Sequence, residues 1–357
     1  MASPRRIAVE PSRAPAPSET QNAQRKSPVH APRPIGQAPQ NPPPRSFGNR
    51  PRRIISALIG PGGHATDQPR IKPLANVPRL IVSVAQILAK NGAMSDRIER
   101  LFAGCRKENR AAFIPYICAG DPNFSRTAEL ALAMEKAGAD LLELGIPFSD
   151  PLADGIVNQL AAERALESGA TVNGVLDCVR NLRARSEIPI VLYTYLNPIF
   201  QFGLTEFHRA AETAGVDGLL ILDWPPEEDS LDADTITHIR LIAPTTPSHR
   251  IATIAKVARG FIYYVSREGV TGARESVAQR IHEKLTAIRQ HTDLPITVGF
   301  GISDEKQART VARWADGVVV GSAIVDRIGK VGDTADLADR ISKFVAPIAA
   351  AVHDARH

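Results

Sequence analysis

Eight short runs, each apolar on both faces and each followed by a turn signal, alternate with helix-periodic segments from about Met94 to the C-terminus. They fall at residues 113–119, 141–146, 189–196, 218–222, 239–243, 261–266, 296–300 and 317–320. A strand apolar on both faces has to be covered on both, and the usual cover is a crossover helix, so the pattern demands parallel β-α-β units. Helical periodicity supplies the cover at 126–137, 172–185, 205–214, 251–259, 278–290 and 305–314, with 337–352 after the last strand. The fourth connection, 227–237, is weakly patterned and reads as either helix or loop. Eight such units in the 264 residues from Met94 fit a (β/α)8 TIM barrel, for which about 250 residues is typical. An open doubly wound sheet would carry a glycine-rich nucleotide turn after its first strand. Ala119-Gly120-Asp121-Pro122 stands there instead.

Composition divides the chain at the same place. Residues 1–93 hold 14 of the 43 Lys and Arg and 16 of the 28 prolines against 3 acidic residues, so they carry +11 and the rest −6. Such a segment buries too little apolar surface to offset chain entropy, and a disordered, Pro/Arg-rich extension is expected before the barrel of 94–357. Its apolar stretch at 80–89 is too short to span a bilayer. The extension reads as a transit segment, a basic arm, or a start placed upstream of the true one. Met94-Ser95-Asp96-Arg97-Ile98-Glu99 itself looks like the beginning of an amphipathic helix, with Ser95 as N-cap. No apolar secretory core follows Arg5-Arg6. Cys105, Cys118 and Cys178 are odd in number and not in metal spacing, which suits small core residues in a reducing compartment and no metal. The expected setting is cytoplasmic, or a plastid if the extension is a transit peptide, with neither nucleic acid nor membrane as partner. Nine histidines, among them His208 and His282 on helical patterns, read as surface or packing residues.

Chemistry is expected where a carboxylate interrupts apolar sequence. Glu143 stands inside Leu141-Leu142-Glu143-Leu144-Gly145-Ile146, and Asp154 ends the following segment Phe148-Ser149-Asp150-Pro151-Leu152-Ala153-Asp154. Burying a charge is costly unless it is paired or neutralised. Desolvation should favour the neutral form of Glu143 and ready it to exchange a proton near neutral pH, with Asp154 ionised in its loop. The alternative is a satisfied structural carboxylate and a turn residue; for Asp150, before Pro151, turn initiation or a partner contact serves equally well.

Two further groups belong to the same end of a barrel. Gly299-Phe300-Gly301-Ile302-Ser303 and Val320-Gly321-Ser322-Ala323 end the last two strands in glycine, where barrels present backbone N–H groups to a phosphate monoester. Gly269, Thr271 and Gly272, within Ser266-Arg267-Glu268-Gly269-Val270-Thr271-Gly272, suggest a lid that excludes water, or simply a flexible loop.

Taken together, the segments 142–155, 266–272 and 299–303 resemble the signatures of the tryptophan synthase alpha chain family, and the similarity runs from about Met94 to the C-terminus. The resemblance implies retro-aldol cleavage of indole-3-glycerol phosphate to indole and glyceraldehyde 3-phosphate, without a cofactor of its own. It makes Glu143 the proton-shuttling residue, Asp154 the partner of the indole N–H, Tyr263 a supporting tyrosine and Thr271 the lid threonine. Gly272, Gly301, Gly321 and Ser322 fall on phosphate-binding positions, and Tyr116, Leu220 and Phe300 on the indole pocket. The implied partner is a pyridoxal-phosphate-dependent beta chain in an alpha2-beta2 tetramer, docking near 150–159 and the Asn197-Pro198 turn. A stand-alone indole-glycerol-phosphate lyase, another phosphate-binding barrel isomerase, and a catalytically poor scaffold for a beta chain are the alternatives. Ile156-Val157-Asn158-Gln159 departs from the family's Pro-containing run, Tyr116 stands where Phe is commoner, and Tyr193 where a smaller aliphatic residue is. These departures bear on loop closure and pocket shape.

Overall fold

The computed structural model describes residues 96–228, 236–266, 274–299 and 301–356; the extension, Ser95 and Phe300, with the 267–273 segment, lie outside them. The chain runs α1 (Asp96–Lys107), β1 (Ala112–Cys118), α2 (Phe124–Lys136), β2 (Leu142–Gly145), α3 (Ile156–Glu167), α4 (Val172–Arg183), β3 (Ile190–Thr194), α5 (Leu196–Phe202), α6 (Leu204–Ala214) and β4 (Gly218–Ile221). It continues with β5 (Thr237–His238), β6 (Arg240–Ile242), α7 (Ser248–Val257), β7 (Ile262–Val265), α8 (Arg274–Arg289), β8 (Ile296–Gly299), α9 (Glu305–Ala312), β9 (Gly317–Val320), α10 (Ser322–Val331) and α11 (Leu337–His353).

All described pairings are parallel, in the order β5-β4-β3-β2-β1-β9-β8-β7-β6. The two ends of that order are halves of one segment, interrupted only at Ile239, whose N–H bonds the Leu219 carbonyl at 2.9 Å. The fifth staves of an eight-fold barrel are therefore β5 and β6 together, and the parallel barrel closes through Ile239. The expected strand 239–243 begins two residues earlier because Thr237 and His238 pair with β4.

Strand alternation sorts the core into two layers. Ile114, Tyr116, Val191, Tyr193, Leu220, Tyr263 and Val319 point inward and pack together. Phe113, Leu142, Leu144, Leu192, Ile262 and Val298 point outward onto the helices. Both faces are buried, which is what continuous apolar runs require. Helix α1 adds Ile98 and Phe102 to the inner layer, with the Phe102 and Phe261 rings 5.5 Å apart. An ionic knot secures it: Asp217, 1% exposed, accepts from Arg97 at 3.1 Å and from the Ile190 N–H at 2.8 Å, and pairs with Arg183.

Three helices have no counterpart in the sequence periodicity. In α3, Ala161, Ala162 and Ala165 are buried while Ile156 and Leu160 face out, so its apolar residues trace no single stripe. Helix α5 is seven residues long, too short to show a period, and of α10 the sequence marks only the start of a helix or short helical turn after Gly321. The cysteines are free and buried, as expected of core residues. His208 is buried and stacked on His238, a packing role, and His282 lies against Trp314.

Candidate active site

The carboxyl ends of β1, β2, β3 and β7 and the first residues after β8 and β9 surround a cavity of about 280 Å³. Tyr116, Glu143, Asn158, Tyr193, Tyr263, Gly301, Val319, Gly321 and Ser322 are on its wall. Register explains the clustering: Glu143 on β2 stands level with Tyr116 on β1 and Val191 on β3, so their side chains share an inward-facing layer. Two glycines make room for the phenols. A methyl group at Gly145 would meet the Tyr116 hydroxyl, and one at Gly299 would collide with that of Tyr263.

Glu143 is 3% exposed, and its Oε1 has no hydrogen-bond partner among the described residues. Desolvation, reinforced by the charge of Asp154, pushes its carboxyl up to about 8. The group is a neutral acid at pH 7 with an open oxygen beside the cavity, which is the state the apolar strand context implied. Tyr263 and Tyr116 are held well above the ordinary tyrosine range, first by burial and then by nearby acidic groups, so both remain neutral phenols.

Asp154 is not itself on the cavity wall. It precedes Gly155, which is, and is bonded to two wall residues: the Tyr193 hydroxyl donates to Oδ1 at 2.9 Å and the Asn158 amide to the same oxygen at 3.5 Å. The Tyr195 hydroxyl donates to Oδ2 at 2.8 Å and accepts the Ala153 N–H at 2.9 Å. Burial raises the Asp154 carboxyl above its usual range, while the bonds from Tyr195, Tyr193 and Asn158 pull it back. Glu143 and Asp154 thus meet electrostatically across one site but sit in unlike surroundings, one starved of donors and the other supplied with three.

Gly301 has φ +75° and Gly321 is the N-cap of α10, with Ser322 its first residue. Gly301, Gly321 and Ser322 therefore gather at one side of the cavity with a helix N-terminus, an arrangement suited to an anion. Leu220 is buried in the inner layer with Tyr116 and Tyr193 rather than on the wall. Phe300, Thr271 and Gly272 lie outside the described residues. Helix α3 is fixed beside the cavity by Arg164, whose guanidinium grips buried Asp121 after β1 through bonds of 2.9 and 2.7 Å.

Tyr195 and Asn158 were not picked out from the sequence, although signals existed. Tyr193 and Tyr195 are two apart within the expected strand 189–196, a spacing that aims both to one side, and Asn158 is four beyond Asp154.

Fold and site define a (β/α)8-barrel protein built to handle protons beside a bound anion. The sequence model of the tryptophan synthase alpha chain family matches residues 102–353. The tryptophan synthase alpha chain of Opitutus terrae is 57% identical over 237 residues, 65% of this chain and 89% of the relative. That of Geotalea uraniireducens is 47% identical over 262 residues, 72% and 97%. The crystal structure of the alpha subunit from Legionella pneumophila superposes with a TM-score of 0.65 at 36% identity, over 72% of this chain and 98% of that one. Tryptophan synthase from M. tuberculosis in its aminoacrylate-bound form gives 0.64 at 30%, over 72% and 99%. The chain belongs to the tryptophan synthase alpha chain family, and so to the lyases of tryptophan biosynthesis.

Proposed function

We propose that this chain cleaves indole-3-glycerol phosphate to indole and glyceraldehyde 3-phosphate. The observation that carries the reading is Glu143, a protonated carboxyl with a free oxygen in the cavity at neutral pH. Cleavage needs a proton delivered to indole carbon 3, after which the ring nitrogen becomes electron-poor. Glu143 is the donor. Once anionic, it accepts the proton of the glycerol hydroxyl next to the ring as the carbon–carbon bond breaks; the bonding pair returns to the indole and the hydroxyl carbon becomes the aldehyde. Asp154, ionised, faces the ring N–H and stabilises its positive character. Tyr263 supports Glu143 from β7, and Tyr116 and Phe300 shape the indole pocket, with Leu220 backing it from the inner layer rather than on its wall. Gly272, Gly301, Gly321 and Ser322 hold the phosphate, while Thr271 closes towards Asp154.

The chemistry draws on no cofactor of this chain; pyridoxal phosphate belongs to the beta chain that receives the indole. Exposed Leu152, Ile156 and Leu160 on the segment after β2, with Phe200 on adjoining α5, offer an apolar rim for that partner in an alpha2-beta2 assembly. Steady-state cleavage by the purified chain, with and without a beta chain, tests the reading. Activity raised on mixing supports the synthase subunit, equal activity alone supports a stand-alone lyase, and none in either case supports a scaffold. Glu143→Gln should abolish turnover while leaving phosphate-ligand affinity largely intact.

A further inference from the structure

The loop after β2 is pinned to β3 at Asp154. Both carboxylate oxygens are engaged by phenols two residues apart, Oδ1 by Tyr193 on β3 and Oδ2 by Tyr195 at the N-cap of α5. Tyr195 has a second task, accepting the Ala153 N–H, so its hydroxyl is fixed by loop backbone whatever the state of Asp154. The Tyr193 hydroxyl has Asp154 as its one described partner. Its ring is 5% exposed, wedged edge-on against Tyr116 with centroids 5.2 Å apart, and it forms cavity wall. A phenol so placed has one bonded acceptor among the described residues, and its packing against Tyr116 holds it there.

We propose that Tyr193 is a positioning residue, which holds the Asp154 carboxylate ionised and aimed so that its one remaining lone pair, on Oδ2, meets the substrate's ring N–H. A carboxylate offers about four acceptor sites, and the phenols and the Asn158 amide take three. One oxygen therefore keeps room for a ligand donor without the grip being released. The consequence for turnover rests on the cleavage reading above; the grip itself does not.

The acidic groups facing Asp154 are Glu143 on β2, Tyr116 and Cys118 on β1, Tyr193 and Tyr195 along and just after β3, and Tyr263 on β7. Each is neutral around pH 7 and gives Asp154 no countercharge. Among the described residues, the influences that favour its ionised form are the three hydrogen bonds, from Tyr195, Tyr193 and Asn158. Removing one of the two short ones should be visible.

The test uses the full chain carrying carboxyl-labelled aspartate, with the Asp154 carbon-13 resonance assigned by Asp154→Asn. Tyr193→Phe keeps the ring and its packing and removes only the hydroxyl. The Asp154 titration midpoint should move up by about one pH unit in this variant, the size expected for one lost bond to a charged group. The acid limb of kcat/KM should move up with it, giving roughly tenfold loss at low pH and recovery on the alkaline side. An unmoved midpoint overturns the proposal. A shifted midpoint in the variant, together with a wild-type protein that shows no cleavage, would sink the lyase reading and leave the grip standing. A uniform fall in kcat at every pH, with the midpoint fixed, would reduce Tyr193 to packing. Should Tyr193→Phe misfold by circular dichroism, Tyr193→Leu, which keeps a smaller apolar side chain and carries no donor, is titrated in its place under the same criteria.

Discussion

Glu143 holds its proton because the strand that carries it gives the carboxylate neither water nor a donor, and this sets a stability cost as well as a chemical role. Its folded value of about 8 lies above the ordinary 4.5. The folded chain therefore binds more protons than the unfolded one between those values, and stability falls as pH rises from about 4.5 through about 8. Glu143→Gln keeps the shape and cannot ionise. It should melt like wild type at pH 5 and higher than wild type at pH 9, by an amount worth up to a few kcal/mol. Thermal melts of both proteins across that range check this, and parallel curves would contradict it. The same proton shapes catalysis: kcat/KM should fall above about pH 8 as the acid is lost, and on the acid side as Asp154 is protonated, giving a bell.

At the scale of elements, the sequence exposed most of the barrel and the physical reason for what it hid is plain. Strands buried on both faces leave continuous apolar runs, so all eight were legible. Glu143 stood out because it broke one of them. Helix α3 was hidden because alanines make its buried side, and the Asp154 grip because a hydrogen bond between a loop and the next strand leaves no periodic trace. The base of the barrel was equally silent. Asp217 shows nothing in sequence, yet it joins α1, α4 and β3 through Arg97, Arg183 and the Ile190 N–H. Asp217→Ala would leave Arg183, its side chain 11% exposed, with carbonyl acceptors alone among the described residues, those of Gly215, Ser186 and Ile188. Stripping one partner from a buried ion pair costs about 3–5 kcal/mol. Denaturant unfolding should show a loss approaching that range with an unchanged slope; a loss under about 1 kcal/mol would mean the knot is dispensable.

Over the whole molecule, charge is divided unevenly along the sequence. Residues 1–93 carry +11 and the rest −6, and the family match begins at residue 102, so deleting 1–93 should leave melting temperature and cleavage nearly unaltered. A large fall in either would make the extension part of the fold. The apolar surface lies at the opposite extreme of importance. Leu152 is 90% exposed and Phe200 is 62% exposed, on the two segments that Tyr195 ties together at the cavity mouth. Side chains this bare contribute almost nothing to the isolated fold, so their exposure together beside the site is best explained by a surface that covers them. Phe200→Asp should therefore leave the melting temperature and unassisted cleavage unchanged. Burying its charge against a partner should cost about 2 kcal/mol or more, a 30-fold or greater loss in beta-chain affinity. Titration calorimetry with the beta chain measures that loss directly. Unchanged affinity would move the docking face away from the rim, while a lowered melting temperature would show that Phe200 belongs to the barrel.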